Sequence, residues 1–123
     1  QLFQNWGNMV EHMTWADLSI NGGGTTCWEL CCLGVPMVVL ELSRNQASNV
    51  FGLDQLGCAL SLGDWCPERF VADMAPVVGY LLKNPEKRSD MSSRAQSLVD
   101  GHGPARAAES LIRLVHEWKG ELR

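Results

Sequence analysis

The chain has 123 residues, 46% hydrophobic and 20% charged, with a formal net charge of -4. That suffices for one small domain with a real core, and the acidic balance argues against a broad nucleic-acid footprint. No apolar stretch is long enough to span a bilayer and no basic-plus-apolar leader is visible; a first residue Gln1 in place of Met suggests a piece of something longer.

In chain order, Asn8 reads as a helix cap and Met9–Ala16 as the helix it starts. Leu18–Ile20, Met37–Leu40 and Cys58–Leu62 are short apolar runs bounded by glycine or proline, as expected of strands buried on both faces. Between them, Thr26–Leu33 and Ala47–Leu56 are predicted helices that stop at Gly34 and Gly57. Strand, helix, strand, helix, strand is the pattern of βαβ units, with right-handed crossovers expected.

Beyond Gly63 the strands cease. Phe70, Val71, Met74, Val77, Val78 and Leu81 form a helical stripe, which Pro76 is expected to kink or split. Asn84-Pro85 reads as a cap and first-turn proline, and Met91, Ala95 and Leu98 then line one face. Asp100–Gly103 is a turn, and the last helix begins near Pro104, with Ala108, Leu111, Ile112 and Val115 expected inward and Arg106, Glu109 and Arg113 in water. No internal repeat, low-complexity tract or linker interrupts the sequence. The fold class is therefore α/β: part of a parallel sheet flanked by helices, ending in two or three helices. Three strands are few for such a sheet, so residues 1–123 read as one domain, the later part of a larger one. A bare sheet edge needs covering, and pairing of two copies there would make a homodimer.

The five cysteines are an odd count and form no disulfide framework. Cys27 and Cys31 share a predicted helix face while Cys32 points elsewhere, and no histidine lies near them in sequence. The expectation is reduced, mostly buried thiols, no metal and a reducing cytoplasm.

Asn21–Thr26 lies at the carboxyl end of the first strand, where parallel α/β sheets bind ligands. Glycines let a backbone approach an oxyanion closely, and amides of Gly23, Gly24 and Thr25 at a helix start would favour an anion. The hydroxyls of Thr25 and Thr26 add donors. No lysine follows the glycines, so this is not a triphosphate P-loop. A structural alternative is a capping box, because Thr26 and Glu29 have the spacing T-x-x-E.

The stretch MTWADLSINGGGTTCWELCCLGVPMVVLELSRNQASN resembles the nucleotide-binding half of GT-B-fold enzymes that use UDP-sugars. The broad likeness is to the N-acetylglucosaminyltransferase of peptidoglycan synthesis. The closer one is to the UDP-sugar hydrolases of pseudaminic acid biosynthesis and the spore-coat polysaccharide proteins, through NGGGTT-E, LGxP, NQ--N and a later DGxG--R. Here that last motif is Asp100, Gly101, Gly103 and Arg106. The resemblance covers nearly the whole chain and implies the C-terminal, Rossmann-like half of a GT-B fold with its early strands missing.

It also implies roles. The turn of Asn21, Gly22, Gly23, Gly24, Thr25 and Thr26 would hold the diphosphate and Glu29 the ribose hydroxyls, where a carboxylate accepts strong charge-assisted bonds. Asn45, Gln46 and Asn49 would read the sugar, since amides both donate and accept. The segment near Trp6 would offer backbone groups to uracil, and Arg44 is a further phosphate or carboxylate contact. The hydrolases' catalytic histidine belongs to an N-terminal domain that has no counterpart here. His12 and His116 read as surface residues and His102 as a turn residue, so no catalytic residue is assigned.

Two functions follow. One is the donor-binding part of a UDP-sugar transferase or hydrolase, with the UDP-sugar as substrate, no cofactor, and an N-terminal GT-B domain as partner in cis or in trans. The other is a stand-alone interaction module that docks on a separate N-terminal half.

Overall fold

The computed structural model describes residues 7–121. Helix α1 (Met9–Trp15) leads into strand β1 (Ser19–Gly22), helix α2 (Thr26–Leu33), strand β2 (Met37–Glu41), a 3-10 turn (Arg44–Gln46), helix α3 (Ala47–Gln55) and strand β3 (Ala59–Asp64). Helices α4 (Phe70–Lys83), α5 (Pro85–Leu98) and α6 (Gly103–Glu121) complete the chain. The sheet has three strands in the order β1-β2-β3, all parallel, with Ser19 beside Met37 and Met37 beside Ala59. The α/β architecture read from the sequence is therefore present, closing on three helices.

Successive side chains of a strand face opposite ways, and β2 buries both sets. Met37 and Val39 join the larger core with Cys27, Leu30 and Cys31 of α2, Val50 and Leu53 of α3, and Ala95 of α5. Val38 faces the other layer, with Leu81 of α4 and Met91 of α5. Gly34 ends α2 with φ 71, and its N–H and that of Val35 close on the carbonyls of Cys31 and Leu30. That is the glycine stop the sequence predicts.

Several expectations are corrected. Asn8 stands before α1 without capping it; its Nδ2 donates to Glu11 Oε1 at 2.6 Å. Asn84 does not cap α5 either: its Nδ2 donates back to Tyr80 O at 2.7 Å, and Arg88 Nη1 donates to Leu81 O at 2.6 Å, so both close the end of α4. Pro76 does not split α4, which runs unbroken from Phe70 to Lys83. The proline and Ala72, whose carbonyl loses its donor, are both exposed, so water can take that bond. His12 is half-buried rather than on the surface, whereas His116 is exposed.

The largest correction concerns α6. Leu111, Ile112 and Val115, expected inward, are 64%, 59% and 49% exposed, and Ala108 is exposed as well. A period of 3.6 shows that a helix has an apolar face; it does not say which chain covers that face.

Candidate functional site

Strand β1 ends at Gly22, and the chain bends into α2 at the carboxyl edge of the sheet. Gly23 N–H extends the ladder by donating to Leu40 O at 3.0 Å, and Gly24 N–H folds back onto Gly22 O at 2.8 Å, a tight three-residue turn. None of these glycines has positive φ. Their smallness serves packing instead. A Cβ on Gly23 would stand 2.3 Å from Val50 Cγ2, and one on Gly22 would stand 2.6 Å from Leu42 Cδ1. Around Gly24 the nearest atom would be Gln46 Nε2 at 3.8 Å, so the third glycine borders open space.

These bonds move the anion donors along the chain. The amides of Gly23 and Gly24, expected to face a ligand, are taken by Leu40 and Gly22. The backbone N–H groups of Thr25 and Thr26 make no hydrogen bond among the described residues, nor do their hydroxyls, and both residues are exposed at the N-terminus of α2. Two free amides, two hydroxyls and the positive end of a helix dipole form a small anion cradle.

Glu29 shares the helix face of Thr25 and Thr26, about one turn further on. It is exposed and makes no hydrogen bond or ion pair among the described residues. The capping box of Thr26 and Glu29 does not form: Thr26 is the first residue of α2 rather than its cap, and neither side chain makes a hydrogen bond among the described residues. Glu29 opens onto a groove of about 430 Å³ walled by Val10 of α1, Trp28, Cys32 and Leu33 of α2, and Val99 and Pro104. Trp28 was not singled out from the sequence; an indole on a helix position next to a free acid was the available signal.

The polar loop after β2 closes over the bend. Gln46 Oε1 accepts the Leu42 N–H at 3.1 Å, which leaves its Nε2 on the Gly24 side. Ser43 Oγ donates to Asn45 Oδ1 at 2.5 Å, and Asn45 and Arg44 are exposed beside it. Asn49 Nδ2 donates to Gly23 O at 3.2 Å. Asn21 Nδ2 reaches Gly22 O at 3.0 Å and Cys27 Sγ at 3.1 Å, while Asn21 Oδ1 accepts from Ser19 Oγ at 3.0 Å. The structure thus gathers Asn21–Thr26, Gln46 and Asn49 around one bend, with Asn45 exposed next to Gln46 in sequence and Glu29 one helical turn away. Trp6 lies outside the described residues.

The DGHG turn is self-contained. Arg106 Nη1 donates to Asp100 Oδ2 at 2.6 Å, and the His102 N–H donates to Asp100 Oδ1 at 2.9 Å. The Arg106 bond, then the His102 N–H, holds the Asp100 carboxyl at about 2. All five cysteines are free thiols; Cys27, Cys31 and Cys58 are buried, and burial pushes Cys31 up to about 12. Among the described residues, no three His, Cys, Asp or Glu side chains stand together as a metal site, and no helix is long and apolar enough to cross a membrane.

A parallel sheet with a glycine bend at its carboxyl edge and a free acid one turn into the following helix defines the class of open α/β domains that take ligands at that edge. The chain belongs to the glycosyltransferase family 28 C-terminal domain family, whose model matches residues 2–111. It is 28% identical over 121 residues to the spore coat polysaccharide biosynthesis protein SpsG of Bacillus subtilis (strain 168). That match covers 95% of this chain and 34% of SpsG, so the chain spans about a third of that relative's length. The resemblance read from the motifs is therefore correct at the level of the family: this is a glycosyltransferase-like C-terminal domain.

Proposed function

We propose that this chain is the donor-binding part of an enzyme acting on a UDP-sugar, either a glycosyltransferase or a nucleotide-sugar hydrolase, that serves a cell-surface polysaccharide or a sialic-acid-like sugar. The observation that carries the reading is the unpartnered Glu29 carboxylate one turn from two unbonded threonine amides. In this reading the diphosphate sits on the amides and hydroxyls of Thr25 and Thr26. Glu29 accepts both ribose hydroxyls, and uracil lies toward the segment of Trp6. Gln46, with its nitrogen turned to Gly24, and Asn45 meet the sugar, while Arg44 is free to approach a phosphate.

The chemistry assigned to this half is stabilisation of leaving-group charge. Amides fixed before the bond breaks act without reorganising, which makes such donors effective. No residue here is placed as nucleophile or base, so an N-terminal GT-B domain, in cis or in trans, supplies it. Free thiols fit a reducing cytoplasm. The exposed apolar stripe of α6 also favours a second reading, in which the chain is a separate module that docks on such a partner through this helix. Both readings share the nucleotide site.

Calorimetry on this chain tests it. UDP is expected to bind more tightly than AMP, and Glu29→Ala to weaken UDP roughly tenfold or more, in line with the ~1.5–3 kcal/mol typical of hydrogen bonds to charged groups. Equal affinity for the two nucleotides, or an unaffected Glu29→Ala protein, would overturn it.

A further inference from the structure

We infer that Asn21 and Asn49 are positioning residues, which fix the peptide planes of the glycine bend so that only N–H groups face the anion. The inference rests on the nucleotide reading above and changes the job of two residues that the motifs place against the ligand.

Consider the bend one peptide at a time. The Gly22 carbonyl receives Gly24 N–H at 2.8 Å and Asn21 Nδ2 at 3.0 Å, and the N–H of the same peptide, that of Gly23, is held by Leu40 O. The Gly23 carbonyl receives Asn49 Nδ2 at 3.2 Å, and the N–H of that peptide, that of Gly24, is held by Gly22 O. Both planes are pinned at each end. The next carbonyls, of Gly24 and Thr25, turn into α2 and accept from Cys27 and Trp28. Every carbonyl from 22 to 25 is thereby directed into the protein, while the Thr25 and Thr26 amides stay free.

Glycine peptides have little side-chain bulk to stop them rotating. A flip of the Gly23–Gly24 peptide would turn its carbonyl oxygen toward Gly22 O, like partial charge against like, and would undo the turn that sets the Thr25 and Thr26 amides. Asn49 opposes that flip from α3, across 26 residues of sequence, and Asn21 opposes the neighbouring one from β1. The Asn21 amide is committed at both ends, its oxygen to Ser19 and its nitrogen to Gly22 and Cys27. It has no group left for a ligand's anionic oxygens except by giving these up.

The test uses Asn49→Leu, of similar shape but without a donor, and Asn49→Ala in case the leucine disturbs folding, with melting temperature recorded for each. Three ligands are titrated: UDP, UDP-N-acetylglucosamine and uridine. A positioning role predicts an equal loss, about tenfold, for UDP and UDP-N-acetylglucosamine, with uridine unchanged. It also predicts shifted or broadened amide NMR signals for Gly24, Thr25 and Thr26 in the ligand-free variant. If Asn49 reads the sugar, only UDP-N-acetylglucosamine weakens and the ligand-free amide signals stay in place; that result overturns the inference and leaves the nucleotide reading standing. If the unaltered protein itself does not prefer UDP to uridine, the nucleotide reading fails first and the inference with it.

Discussion

The carboxylate of Asp100 is held low by a guanidinium and a backbone N–H, all within one exposed turn. Its folded value of about 2 lies below the ordinary 3.8, so the pair favours the folded state above pH 3.8, and that contribution fades as pH falls through about 2. Solvent screens it, so it is weak at neutral pH. An NMR titration of the Asp100 side chain is expected to give a midpoint near 2 and, in Arg106→Met, one closer to 3.8. A midpoint already at the ordinary value in the unaltered protein would show that the turn is open in solution. The turn itself was readable from Asp100–Gly103, but its closure by Arg106 was not, because that arginine sits on the polar side of a helix and was expected to face water. Glu29 was not readable in the same way. T-x-x-E fits both a cap and a free acid, and only the start of α2 at Thr26, which puts that threonine inside the helix, decides between them.

Elements were legible wherever an apolar run or a glycine stop marked them. Helix α2 begins and ends where its pattern says, because Gly34 can adopt φ 71 and other residues adopt it at a cost. Gly34→Ala is expected to lose about 1–2 kcal/mol in urea unfolding, the price of left-handed backbone for an L-residue. Its Cβ would also lie 2.6 Å from Gln96 Nε2 and 2.8 Å from Ser92 Oγ on α5. Adding Gln96→Ala and Ser92→Ala together should return the crowding part and leave the backbone part, measured against the same two changes with Gly34 kept; full recovery would mean that backbone geometry is not the issue. Strand β3 was read too short because its last pairing, Asp64 with Glu41, lies beyond an irregularity after Val39 and involves charged residues that no apolar run announces. The caps at Asn8 and Asn84 failed for a related reason: asparagine has several backbone partners within reach, and propensity does not rank them.

For the molecule as a whole, the open question is what α6 packs against. Its apolar positions Leu111, Ile112, Leu114, Val115 and Trp118 lie along one stripe and are all between 49% and 64% exposed. The sequence showed the stripe plainly and could not show that it stays exposed among the described residues, since burial depends on surfaces contributed from elsewhere. Most helical stability in proteins comes from tertiary packing of an apolar face, and α6 has little of it. In a dilute solution of this chain, the amides of α6 are therefore expected to exchange with solvent orders of magnitude faster than those of β2, whose side chains at Met37, Val38 and Val39 are fully buried. Leu111→Glu together with Val115→Glu should leave the melting temperature almost unchanged, because neither side chain is packed. Supplying an N-terminal GT-B domain in trans should slow exchange along α6 in the unaltered chain and fail to do so in the doubly substituted one. If α6 is as protected as β2 in the isolated chain at micromolar concentration, and the two glutamates lower the melting temperature by several degrees, the stripe is covered by the chain itself or by a second copy, and sedimentation at the same concentration separates those two cases.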